Sequence, residues 1–141
     1  NPGLYRSKTE FINAIKSTNY DVVIIDPYFG TTPYSSTELG QIKTKANGGR
    51  RLVLCYMSIG EAEVYRSYWN NLWTQCNGFL DKENPNWKGN FKVKYWNSAW
   101  KNIIFGNDNS QTKVLLNAGC DGAYLDIIDA FHYFESSTKK C

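Results

Sequence analysis

Three hydrophobic runs in this sequence end in a carboxylate, and that repetition restricts the chain more than any other feature. DVVIID closes on Asp26, RLVLCYMSIGE on Glu61 and GAYLD on Asp126. Runs of this length that are apolar throughout read as strands covered on both faces, as in a parallel sheet. A strand that stops on an acidic residue delivers a carboxylate to the rim of its sheet. For Asp126 the competing reading is a cap on a helix starting near Ile127, because Asp is a favoured N-cap residue. Recurrence at three strand ends favours chemistry.

The segments between the runs read as helices and loops. Ser7 or Thr9 caps a helix carrying Phe11, Ile12, Ala14 and Ile15, and the strand Asp21 to Asp26 follows until Pro27 stops it. Tyr28 to Ser36 is a loop, and Thr37 to Lys45 a returning helix. After the strand Arg51 to Ile59, the residues Val64, Tyr65, Tyr68, Trp69, Leu72 and Trp73 recur at helical spacing, predicting a helix from Gly60 to about Gly78. Phe91 to Trp96 reads as a further strand. Asn97 or Ser98 then caps a helix with Trp100 and Ile104, and Thr112 to Ala118 forms another. Alternating strands and helices imply right-handed βαβ units, in a doubly wound sheet or a (β/α)8 barrel. IDPYFGTT lacks the glycine fingerprint of a dinucleotide fold, and no Walker-A pattern occurs. Polar residues at successive strand ends fit a barrel mouth. A barrel of about 250 residues uses roughly 31 per unit, so 141 residues predict a single domain holding about four strands of a TIM-type barrel.

Composition narrows the function classes. A net charge of +3 with scattered Lys and Arg gives no footprint for nucleic acid, and no apolar run is long enough to span a membrane. Aromatic residues make up 16% of the chain, more than a core of this size requires, which points to a surface that stacks on sugar rings. Cys55, Cys76, Cys120 and Cys141 show no metal-ligand spacing and His132 is the only histidine, so neither a zinc site nor a cofactor is expected. Three disulfide pairings are open. One reading leaves Cys55 as a buried free thiol.

CYMSIGEAEVYRSYW (Cys55 to Trp69), NPNWKGNFKVKYWNSAWKNIIF (Asn84 to Phe105) and GCDGAYLDIIDAFHYFE (Gly119 to Glu135) resemble the endo-α-1,4-polygalactosaminidase-type glycoside hydrolase family. Some of its members bear a description as extracellular cysteinyl-tRNA synthetase-like, but no HIGH or KMSKS sequence occurs here. The resemblance implies a secreted (β/α)8 barrel about twice this length, with the present strands as the second to fifth and a second catalytic carboxylate on a later strand. It also implies an endo-acting hydrolase of an amino-sugar polysaccharide. The alternative is a glycan-binding or assembly protein that retains part of the scaffold without turnover, associating with itself or with the remaining barrel segments.

By position, Asp126 matches the family's strand-end catalytic aspartate, with Asp26 and Glu61 as its in-chain partners. Tyr28, Tyr56, Tyr65, Tyr95, Trp96 and Tyr124 lie at or near strand ends and are the candidate sugar contacts. Glu63 is expected to pair with Arg66 at i,i+3 as a brace. Asp129 ranks behind them as a helix-turn charge or supporting group.

Overall fold

The computed structural model describes residues 2–136, 138 and 140–141; Asn1, expected in a loop, lies outside them. After a 3-10 turn at Pro2–Leu4, where a loop was expected, the elements in chain order are α1 (Lys8–Lys16), β1 (Val22–Ile25), β2 (Tyr28–Phe29), β3 (Thr32–Pro33), α2 (Ser36–Ile42) and β4 (Leu52–Ser58). They continue with β5 (Glu61–Glu63), β6 (Leu80–Glu83), β7 (Asn90–Val93), α3 (Ser98–Ile104), α4 (Gln111–Ala118), β8 (Gly122–Asp126) and α5 (Ala130–Ser136). The chain divides into two units, Asn1–Tyr56 with Lys113–Tyr124, and Met57–Thr112 with Leu125–Cys141. β4 and β8 each run from the first unit into the second.

The apolar runs form a three-stranded sheet in the order β1-β4-β8. β1 pairs with β4 in parallel, from Val22 opposite Leu52 to Ile25 opposite Cys55. On the other side of β4, the Asp121 amide donates to the Val53 carbonyl and the Ile59 amide to the Asp126 carbonyl, so both strands rise together. This is a mixed α/β chain with a parallel sheet, as expected.

In the first unit, helix starts follow from capping. Ser7 Oγ accepts from the Glu10 amide at 3.1 Å, and Ser35 and Glu38 form a reciprocal capping box. α2 stops at Ile42, three residues short of the predicted end. Arg51, wholly buried, takes the Ile42 carbonyl at 2.8 Å, the Tyr20 carbonyl at 2.9 Å and the Thr18 carbonyl at 2.6 Å. These acceptors lie at or just beyond the ends of α1 and α2, where carbonyls lack helical partners, so the cation sits at the negative ends of two helices. Pro27 ends β1 as expected, but the following loop contains the hairpin β2-β3.

Cys55 is not a free thiol. It is bonded to Cys120, and Cys76 to Cys141. The small, buried Cys55 faces the turn into β8, where Cys120 stands.

The second unit departs from the predicted alternation. Phe91 to Trp96 is not a parallel strand of the first sheet. Asn90–Val93 is the centre of an antiparallel sheet ordered β5-β7-β6. Nor does a helix start at Gly60. Glu61, Ala62 and Glu63 pair with Lys92, Phe91 and Asn90, and turns follow. Gly60, Ser67, Asn70 and Asn71 weaken any helix there. The aromatics find partners without one: Trp69 meets Phe91 with ring centroids at 5.3 Å, and Trp73 meets Phe79 at 4.9 Å. Val64, Tyr65 and Leu72 are exposed, so the helical spacing did not mark one buried face. Among the described residues, no helix is long and apolar enough to cross a membrane.

Candidate active site

Asp126 occupies the last position of β8, and the structure decides against the helix-cap reading. α5 starts four residues later, at Ala130. The Asp126 carboxylate instead accepts from the next amide, that of Ile127, at 2.9 Å. Asp129 is exposed and immediately precedes α5, which makes it the residue at the cap position. Ile127 adopts a φ of 57°, a conformation that a β-branched residue rarely enters. Flanking this turn is a cleft of about 340 Å³ lined by Ile59, Gly60, Tyr95, Ile127, Ile128, Ala130 and Phe131.

Glu61 lies at the end of its predicted strand but inside the second unit, 1% exposed. One carboxylate oxygen accepts from Lys92 at 2.5 Å and from Asn84 at 2.8 Å, and the other from Asn90 at 3.4 Å. Lys92 is the direct cross-strand neighbour of Glu61. A buried carboxylate so occupied holds β5 to β7.

Glu63 and Arg66 form the expected i,i+3 pair at 2.7 Å, both side chains almost fully covered, on a turn rather than a helix. The Tyr65 hydroxyl donates to the other Glu63 oxygen, and the Arg66 guanidinium lies over the Tyr65 ring. The Glu63 amide donates to Tyr68 Oη at 3.0 Å.

The aromatic candidates separate by exposure. Trp96 is 50% exposed and Tyr95 39%, and the Trp96 ring stands edge-on to Phe134 with centroids at 4.8 Å. Tyr65 and Tyr124 are also exposed, Tyr56 is half-buried, and Tyr28 is only 8% exposed. Asp26, at the end of β1, accepts from the Tyr28 amide at 2.9 Å. Asp26, Tyr28, Tyr56 and Tyr124 belong to the first unit; Glu61, Glu63, Tyr65, Arg66, Tyr95, Trp96, Asp126 and Asp129 belong to the second. Sequence reasoning did not single out Gly60, Ile127, Lys92 or Phe134. The one available signal was a glycine directly after an apolar strand.

Comparison with known proteins fixes the class. The fold matches the crystal structure of Aspergillus fumigatus Ega3 in complex with galactosamine at a TM-score of 0.63, with 19% identity over 87% of this chain and 41% of that one. That likeness is one of fold; a match to a family model over most of its length places the chain among glycoside hydrolase-like proteins. More narrowly, it belongs to glycoside-hydrolase family GH114, whose model matches residues 11–140. The resemblance to endo-α-1,4-polygalactosaminidases read from the sequence is thereby borne out. Similar proteins, each described only as uncharacterized, occur in Deinococcus radiodurans (36% identity over 122 residues), Methanocaldococcus jannaschii (37% over 134) and Thermotoga maritima (35% over 121). They align with 85%, 92% and 85% of this chain, which spans only 37%, 36% and 36% of their lengths.

Proposed function

We propose that the chain is part of a (β/α)8 barrel that hydrolyses an amino-sugar-containing polysaccharide internally, with Asp126 as one of two carboxylates flanking the scissile bond. The observation that carries this reading is the position of Asp126 in a chain of a glycoside hydrolase family: it ends a parallel strand, is half-buried, and accepts from the Ile127 amide beside a cleft whose lining includes Tyr95 and Phe131. Glycoside hydrolysis commonly divides labour between a protonated acid and an ionised nucleophile or base. Asp26 is the in-chain candidate for a supporting carboxylate. Glu61, covered and paired with Lys92, is assigned to structure. A second catalytic carboxylate on a later strand of the family barrel completes the mechanism.

Binding rests on Tyr95, Trp96 and Phe134, whose flat faces suit the C–H face of a sugar ring, while the mouth carboxylates attract protonated amines. Two disulfides support secretion, since such bonds persist in oxidising compartments. The test is reducing-end release from α-1,4-linked polygalactosamine, by these 141 residues and by the full gene product. Release from the interior of the polymer supports the reading. Binding of the polymer by the full gene product without any release favours the non-catalytic alternative. Trp96→Ala is expected to weaken polymer binding about tenfold, or about 1.4 kcal/mol. Trp73→Ala should lower the melting temperature instead. Calorimetric titration and thermal melts of the two variants separate these effects, and equal destabilisation with unchanged binding would contradict the division.

A further inference from the structure

The peptide plane joining Asp126 to Ile127 is held at both ends. Its carbonyl oxygen accepts from the Ile59 amide at 3.1 Å, and its N–H donates to the Asp126 carboxylate at 2.9 Å. The next plane, from Ile127 onward, lies against Gly60: a Cβ on Gly60 would stand 2.4 Å from the Ile127 carbonyl oxygen and 2.6 Å from both Ile127 Cγ2 and Ala130 Cβ. Ile127, at φ 57°, is the hinge between the two planes.

Gly60 is tied on both sides. The preceding carbonyl, of Ile59, accepts from the indole N–H of the buried Trp100 at 2.9 Å, and its own carbonyl accepts from the Val93 amide at 3.3 Å. Both flanking peptides are therefore tied to other elements. The contact is a fixed stop rather than a soft one, and it meets the residue that follows the carboxylate.

We propose that Gly60 and Ile127 are positioning residues for Asp126: the side-chain-free surface of Gly60, pinned by Trp100 and Val93, holds Ile127 in its left-handed conformation and so sets the angle of the Asp126 carboxylate. The inference rests on the reading of Asp126 as catalytic, but its geometry can be tested apart from catalysis. A group that orients an acid acts on turnover more than on binding, because misplacing a catalytic group by about 1 Å can cost about 10²-fold in rate.

The experiment compares wild type, Gly60→Ala and Ile127→Gly. Gly60→Ala inserts the forbidden Cβ. Ile127→Gly removes the Cγ2 contact and the restriction that couples the two planes, and it retains a foldable turn because glycine enters positive φ freely. Three-bond couplings to Asp126 Cγ report the carboxylate rotamer, and steady-state kinetics on α-1,4-linked polygalactosamine report kcat and KM. The expected result is one Asp126 rotamer in wild type and an averaged or shifted one in each folded variant. kcat should fall about 10²-fold with KM within about threefold, while Ile127→Gly melts no lower than wild type. If Gly60→Ala does not fold, Ile127→Gly decides alone. An unchanged Asp126 rotamer in the folded variants overturns the proposal, whatever their activity. A shifted rotamer in a protein whose Asp126→Asn variant still hydrolyses at the wild-type rate leaves the positioning intact and removes the catalytic reading.

Discussion

β1 and β8 are framed alike in sequence, Asp21-VVII-Asp26 and Asp121-GAYL-Asp126, yet the fold treats the two frames differently. At the start of β1, Asp21 is 85% exposed and meets Lys45 at 2.8 Å. Asp121, 11% exposed at the start of β8, accepts from the Val53 amide, Lys43 and Arg50, beside the Cys55–Cys120 bond. The far ends differ as well. Asp26 is followed by Pro27 and accepts from the Tyr28 amide, closing a turn. Asp126 is followed by an isoleucine at positive φ that meets Gly60, more than sixty positions earlier. Both strands have tertiary contacts, but only the turn after β8 packs a left-handed residue against a glycine.

The tyrosines of the two frames break the comparison most sharply. Tyr28, just after Asp26, is buried, while Tyr124, two residues before Asp126, is 45% exposed. Tyr28→Ala should cost about 3 kcal/mol in denaturant unfolding, the usual scale for emptying a buried aromatic site. Tyr124→Ala should leave the unfolding midpoint near wild type and weaken polymer binding. A stability loss from Tyr124→Ala equal to that from Tyr28→Ala would show that exposure misreports their roles.

A smaller effect separates the two starting aspartates. Asp121→Asn should cost about 2 kcal/mol, since it removes charged hydrogen bonds from a nearly buried group, whereas Asp21→Asn should leave the melting temperature unchanged. Burial pushes the Asp121 carboxyl up, but the Val53 amide, Lys43 and Arg50 outweigh it and hold it below the ordinary carboxylate range. A depressed carboxyl contributes stability that is present above its unfolded pKa of about 3.9 and lost as pH falls through the folded value. Asp81 behaves likewise: burial raises it, and the Tyr133 hydroxyl with the Lys82 and Cys141 amides overcomes that. Wild type should therefore lose stability below about pH 4, with a shallower decline in Asp121→Asn. Parallel acid-unfolding curves for the two would remove Asp121 from this account.

Much of the first unit was legible because its rules are local. Ser7 caps α1, Pro27 stops β1 and the apolar runs pair in parallel. The second unit was misread where tertiary contacts override local pattern. Trp69 and Trp73 recur as on a helix, yet they serve a cluster around Phe79 and Phe91. Glu61 does end its apolar run, but its pairing with Lys92 could not be read because β5 was expected to be a helix. Cys55 resembled a core thiol because its partner, Cys120, is 65 residues away. At the candidate site, the sequence marked Asp126, Tyr95 and Trp96, while the conformation of Ile127 depends on a glycine in a distant turn.

If Asp126 performs the chemistry proposed for it, removing its acid must cost turnover and little else. Reducing-end release from α-1,4-linked polygalactosamine by Asp126→Asn tests it most directly, with folding checked by melting and polymer binding by titration. Turnover should fall about 10²-fold or more, the scale of a lost acid or base, with fold and binding nearly intact. Undiminished release by a folded Asp126→Asn protein would contradict it.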